Sequence, residues 1–292
     1  MPESSEAFNS IGPTALFTAY WRRLGGYTPY AHQIYDEALD IWQDKGLALP
    51  PFYPDKPNYG VTMEVRQRAI DILFEQTQAT QVLGVADGLA PTGMIHSTWN
   101  PRMHCYTELD LPFVSNVKQR VVERLGITSL GGNYHIEGGS ALDISAMEHA
   151  ARHFDRKLSV YIGSFGTIHY FTNEQRAQMA ESVRSILRTF GGAWITDLPH
   201  HLNAAAKAQA TTFNQLGTGI DLAELAFDDR AQAVAFFEDL GFSVDAGRNE
   251  PLSYADDRII SRLVSHKAAR MSKAEVIEKQ QPWGLHVLRL AA

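Results

Sequence analysis

The sequence predicts an α/β protein: a seven-stranded, mostly parallel sheet with helices on both faces and an N-terminal helical lid. Two observations carry this prediction. From residue 62 onward, short apolar runs alternate with helix-period segments, which is the pattern of a parallel sheet with crossover helices. Before residue 62 the chain reads as aromatic-rich helices followed by a proline-rich connection, with no strand pattern.

In the first 61 residues, Pro13–Leu24 places Phe17, Tyr20, Trp21 and Leu24 on one helical stripe. Thr28 has the chemistry of an N-cap, with Pro29 at the first helical position. The helix that follows runs to about Lys45 and stops at Gly46, with Ile34, Ala38, Ile41 and Trp42 facing inward. Residues 47–61 (LALPPFYPDKPNYGV) hold four prolines and form an irregular connection. This segment, 1–61, is the expected lid.

The core spans 62–292. Thr62 is expected to cap a helix through Gln76, and Gln81–Val85 is the first strand, ending in the turn Ala86–Gly93 (ADGLAPTG). Cys105–Leu109 is the second strand and leads into a helix over Val114–Leu125. Tyr134–Glu137 is a short third strand, followed by a helix over Ser145–Phe154. Leu158–Gly163 is the fourth strand, and Thr172 or Asn173 caps the long helix to Phe190. Ala193–Thr196 is the fifth. Residues near 202–230 read as a helical insertion, Asp229–Leu240 as an amphipathic helix ended by Gly241, and Phe242–Val244 and Leu285–Leu290 as closing strands.

Composition bounds the function. The chain has 292 residues, 45% hydrophobic and 20% charged, the profile of an ordinary globular protein. With 26 Lys+Arg against 33 Asp+Glu, the formal charge of −7 argues against nucleic acid as a partner. No run approaches the roughly 20 apolar residues of a membrane span, and the acidic start MPESSEAFNS does not read as a secretory signal. A cytoplasmic protein is expected. The single cysteine, Cys105, excludes an internal disulfide and any multi-cysteine metal site. His200 and His201 are adjacent on an extended segment and diverge, so no metal is expected.

In an open α/β sheet, ligands bind outside the carboxyl ends of the strands, at the switch point. That rule points to the turn Ala86–Gly93, where Gly88 and Gly93 allow close backbone approach. The turn is neither GxGxxG nor GxxxxGK[ST], so a P-loop is unsupported. Glu108 and Asp110 stand at the end of the second strand, about twenty residues past the turn, where a carboxylate binds ribose hydroxyls. Asp110 as a cap of the next helix is the competing reading.

Together, Pro13–Leu24, VLGVADGLAPTG, YTELDLP, IGSFGTIHYFTNEQRAQMAESVRSIL and GGAWIT resemble the leucine-carboxyl/polyketide O-methyltransferase group, a branch of the class I S-adenosylmethionine (SAM) dependent methyltransferases. The resemblance covers about residues 12–200. It implies a Rossmann-like methyltransferase sheet and SAM as the small-molecule ligand. On it, Ala86, Asp87 and Gly88 lie against SAM, Asp110 holds its ribose, and Ser140, Ala141 and Leu142 fall by the adenine. The N-terminal helix, with Tyr20, Trp21 and Arg22 or Arg23, closes over the methionyl end.

The chain departs from the family's pattern in three places. Ala86 stands where the family has its first turn glycine, Thr92 where it has an arginine, and Phe165 where it has a glutamate facing the methionyl end; Gly166 and Tyr170 match. A carboxylate beside the SAM amine favours the ammonium, whereas an aromatic ring desolvates it and offers a π-face to the sulfonium. A neutral amine can attack Cγ of SAM, closing azetidine-2-carboxylate and expelling methylthioadenosine, as in SAM lyases that resemble this branch. An aromatic cage from Phe17, Tyr20, Trp21, Tyr134, Phe165, Tyr170 and Phe171 would serve that reaction. Asn133, Ser140 and Thr92 are polar groups that could hold the SAM carboxylate or accept the amine proton. Phe165, Tyr170 and Asn133 are the catalytic candidates for cyclisation. The alternative is methyl transfer to a hydroxyl or carboxyl of a small metabolite, with His169 or His200 as general base.

Overall fold

The computed structural model describes residues 5–26, 28–45, 58–127, 132–199, 222–244 and 285–291. Its strands are β1 Gln81–Val85, β2 Cys105–Asp110, β3 Tyr134–Gly138, β4 Val160–Ser164, β5 Gly192–Asp197, β6 Phe242–Val244 and β7 Leu285–Leu290. They form one seven-stranded sheet in the order β3-β2-β1-β4-β5-β7-β6. The first five are parallel and in register, Gly84 facing both Glu108 of β2 and Gly163 of β4. β7 pairs antiparallel with β5 and β6.

Every residue of β1 is buried, as a strand covered on both faces requires. Alternate side chains divide between two cores. Leu83, Val85, Cys105 and Leu109 join the larger one, with Met147 and Ala150 of α6 (Ile144–Ala150), Met179 and Val183 of α7 (Asn173–Phe190), and Phe237 near the sheet edge. Val82 and Tyr106 face the other side, against Ala69, Ile70 and Phe74 of α3 (Asn58–Thr77). A third cluster joins α1 (Ser5–Gly25), α2 (Ala31–Asp44), α4 (Thr92–Trp99) and α5 (Pro112–Arg124) through Leu16, Ile34, Ile41, Met94, Val117 and Val121. Helices therefore cover both faces, and α1 and α2 pack at one end beside α3 and α5.

Local rules set most boundaries. Thr172 and Gln175 form a reciprocal capping box at the start of α7. Among the described residues, two short helices follow β5: α8 Leu222–Leu225 and α9 Arg230–Asp239, the second capped by Asp229. Gly241 follows α9 with φ +84, a left-handed position suited to glycine.

Three expectations are corrected. Thr28 is not the cap of α2: Tyr30 holds that position at φ +63 without a side-chain cap bond, and Thr28 binds Glu64 through both its amide and its hydroxyl. α3 starts at Asn58, so Thr62 lies inside the helix and the expected boundary at residue 61 falls within it. The helix expected over Ser145–Phe154 ends at Ala150 and tightens into a 3₁₀ turn over Ala151–His153. Most of the expected insertion, 202–221 of 202–230, lies outside the described residues, as do His200 and His201.

A crevice at the switch point of the sheet

Chain order reverses between β1 and β4, so their carboxyl ends form the topological switch point. A crevice of about 150 Å³ opens there. Its floor is Ala86, Asp87 and Gly88 after β1, Asp110 at the end of β2, and Phe165–Gly166 after β4; α1 supplies the facing wall through Thr14, Ala15, Thr18, Trp21 and Arg22. Arg66 of α3, His169, Tyr170 and Leu222 also line it.

The turn after β1 is tightly wound. Ala86 and Gly88 both have positive φ, +54 and +58. A left-handed alanine is uncommon, and its amide is fixed by the Leu109 carbonyl at 2.7 Å. Gly84 must lack a side chain, because a Cβ there would overlap the Asp87 carboxylate. Asp87 folds back over the strand end and accepts a hydrogen bond from the Tyr106 hydroxyl at 3.1 Å. Burial and the nearby Glu108 push its carboxyl up to about 7, against the pull of Lys118 and Tyr106. Lys118, itself buried, pairs with Glu108 at 2.9 Å and donates to the Ala90 carbonyl, anchoring the turn from below.

The Asp110 carboxylate is oriented by two backbone amides, Gly88 at 2.8 Å and Leu111 at 2.7 Å, one on each oxygen. Asp110 is not the cap of α5, since Leu111 holds that position without a side-chain cap bond; each carboxylate oxygen keeps a further lone pair. Burial pushes its carboxyl up to about 6 despite those amides.

A charged cluster sits at the opposite end, which sequence reasoning missed apart from His169. Asp197, fully buried at the end of β5, pairs with Arg66 at 2.5 Å and lies 3.4 Å from His169 Nε2. The Gly166 amide donates to both its oxygens, at 2.8 and 3.0 Å. Burial alone would raise the Asp197 carboxyl; Arg66, His169 and the Gly166 amide outweigh it and hold the group well below the usual carboxylate range. The one signal in the sequence was an aspartate closing an apolar strand in WITD. Arg22 stands nearby, its guanidinium lowered to about 10 by burial and by Arg66, so it stays charged at neutral pH.

Of the expected cage, Trp21, Phe165 and Tyr170 line the crevice. Phe165 also packs edge-on against Phe74, with ring centroids 6.4 Å apart. Burial pushes the Tyr170 phenol up to about 12, and its oxygen bonds the Thr14 side chain. The other rings go elsewhere. Phe17 is fully buried against Trp21, Tyr20 packs on Tyr35, Tyr134 on Tyr106, and Phe171 on the large core.

Asn133 precedes β3 and donates to the Met103 carbonyl at 3.2 Å. It stands at the amino end of its strand, opposite the crevice, and the catalytic expectation for it is corrected. Thr92 opens α4, is buried, and exchanges hydrogen bonds with Gln67 instead of lining the crevice. Ser140 and Ala141 lie in the turn after β3, where the Ser140 hydroxyl accepts from the Leu142 amide at 3.2 Å. They are not among the residues that line the crevice. Among the described residues, no group of three or more His, Cys, Asp or Glu side chains has a metal-binding arrangement. No described helix is long and apolar enough to cross a membrane.

No protein-family profile and no curated protein sequence matches the chain. Solved structures do. A DUF574 family protein of Streptomyces avermitilis superposes with a TM-score of 0.56 at 13% identity, over 96% of this chain and 97% of that one. A candidate methyltransferase of Thermobifida fusca superposes with a TM-score of 0.51, also at 13% identity, over 100% and 99% of the two chains. The chain thus has the α/β fold of these two neighbours.

Proposed function

We propose that the chain binds SAM in the crevice at the ends of β1, β2 and β4 and transfers its methyl group to a hydroxyl or carboxyl of a small metabolite. The observation that carries this reading is the His169–Asp197 pair, which sets an imidazole on the crevice wall against a buried carboxylate.

The residues present fit SAM at its ribose. Asp110 is pre-oriented by two amides and keeps lone pairs for the two ribose hydroxyls. Arg22 and Arg66 supply positive charge for the methionyl carboxylate, and Asp87 a carboxyl for its amine. The crevice is smaller than the roughly 300–1,000 Å³ of ligand sites. Since α1 forms a whole wall of it, α1 is the lid that must shift to admit SAM.

SAM supplies a methyl group made electrophilic by its sulfonium. His169 takes the proton from an acceptor hydroxyl while the new O–CH₃ bond forms and the S–CH₃ bond breaks, leaving S-adenosylhomocysteine. Asp197 orients the imidazole from behind. Trp21 and Phe165 exclude water and offer π-faces to the cationic sulfur.

Cyclisation of SAM to azetidine-2-carboxylate is the second reading, and one observation favours it: the Phe165 ring, not a carboxylate, faces the crevice. Against it, only three of the seven proposed cage rings line the site, and they share it with arginines and carboxylates. Product analysis separates the two. With SAM alone, methylthioadenosine supports cyclisation; S-adenosylhomocysteine formed only with an added acceptor supports methyl transfer. Phe165→Glu should suppress cyclisation by re-protonating the amine, about tenfold for each 1.4 kcal/mol lost, and should affect methyl transfer far less.

A further inference from the structure

A second cleft, of about 660 Å³, lies between α3, α4 and the chain entering α2. Its volume falls within the range of small-molecule sites, and it has their usual make-up of apolar walls with a few convergent polar groups. Pro29, Ile95, Trp99 and Pro101 form the apolar walls. Glu64, held by the Thr28 amide at 3.1 Å, stands on the side toward α1 and separates this cleft from the crevice lined by Arg22.

Two features give the cleft a chemical preference. Trp99 is 55% exposed, one of only two large hydrophobic side chains so exposed among the described residues. It is held in place by stacking on Tyr30, with centroids 5.7 Å apart and planes 24° apart. Tyr30 has a left-handed backbone, φ +63, at the start of α2, and such positions in non-glycine residues concentrate at functional sites. The other feature is Asp71. Its Oδ1 takes both Gln67 Nε2 at 3.1 Å and His96 Nε2 at 3.2 Å, while Oδ2 has no hydrogen-bond partner among the described residues. The remaining charges are largely spoken for. Arg68 pairs with Glu75 at 3.4 Å and Glu64 with Thr28, leaving Arg102 exposed at the rim. A fixed carboxylate beside an exposed indole is the pairing that recognises an organic cation, through a charge-assisted hydrogen bond and a cation–π contact.

We propose that this cleft is a second ligand site, distinct from the SAM crevice, and that it takes a small molecule carrying an ammonium on an apolar or aromatic body. Tryptamine is a suitable probe, with indole-3-acetate as its anionic counterpart of similar shape. Calorimetry on the full chain should show tryptamine binding and indole-3-acetate at least tenfold weaker. Asp71→Asn, which keeps the Gln67 and His96 contacts sterically possible, and Trp99→Ala, at an exposed position, should each weaken tryptamine at least tenfold. Asp110→Ala should leave tryptamine binding intact, which separates this cleft from the SAM crevice. No tryptamine binding at millimolar concentration, equal or tighter binding of indole-3-acetate, indifference to both cleft variants, or loss of binding in Asp110→Ala would overturn the proposal.

Discussion

His169 Nε2 lies 3.4 Å from a carboxylate oxygen of Asp197, and the imidazole lines the crevice while the carboxylate is fully buried behind it. An imidazole so placed is held in orientation by the carboxylate and faces the crevice, where a general base is needed. His169→Asn should lower turnover of an accepted methyl acceptor by roughly 10²–10⁴-fold, the usual contribution of a general base. SAM affinity by calorimetry should stay within a factor of about three. Turnover unchanged in this variant would remove His169 from the chemistry.

Arg66 compensates the same carboxylate. Removing one member of a buried ion pair costs about 3–5 kcal/mol, because the other charge remains buried and uncompensated. Arg66→Met should therefore lower the urea unfolding free energy by that order. The pH dependence has a definite sign. Because the folded Asp197 carboxyl sits below its unfolded value of about 3.9, it contributes stability above that pH, and the contribution is lost as pH falls through the folded value. Arg66→Met should reduce the loss of stability between about pH 4 and the acid limit. Equal stability of the two proteins across that range would contradict the pairing.

Asp110 titrates in an accessible window. In the proposed site ribose hydroxyls would donate to its ionised form, and burial pushes its carboxyl up to about 6. SAM affinity should fall by up to tenfold per pH unit below about 6. Asp87, at about 7, adds a loss of the same sign as its pairing with the methionyl ammonium disappears. Asp110→Asn should bind more weakly at pH 7.5 and lose the lower step of the profile. A profile that keeps that step in the variant would assign it to another group.

The α1 wall should report on ligand entry. Five of its residues line the crevice, so on the proposed reading α1 is expected to move outward and close again as SAM enters. Hydrogen exchange at residues 13–25 should slow when SAM is added. Identical exchange with and without SAM would make α1 a fixed part of the core.

Most of the fold was legible because its signals are local. The β1, β6 and β7 runs are bounded by turn residues, Thr172 with Gln175 announces α7, and Asp229 announces α9. Thr28 misled because its capping chemistry was used on Glu64, 36 residues away, a tertiary contact that no window of sequence contains. The floor of the crevice was legible for a similar reason: Ala86, Asp87, Gly88 and Asp110 lie at strand ends that the sheet rule singles out. Asn133 was misplaced by one end of a strand. Its neighbour Tyr134 starts β3, so the asparagine faces the amino edge of the sheet. The Arg66–Asp197 pair joins residues 131 apart, from a helix and a strand with no shared motif, and only the folded chain brings them together.

Titration of SAM into the wild-type chain and into Asp110→Ala at neutral pH is the most direct measurement. Wild type should bind one SAM per chain, and Asp110→Ala should lose about 1.5–3 kcal/mol of affinity, the scale of hydrogen bonds to a charged group. No binding of SAM by the wild type, or the same affinity in Asp110→Ala, would contradict a SAM site built on the ends of β1 and β2.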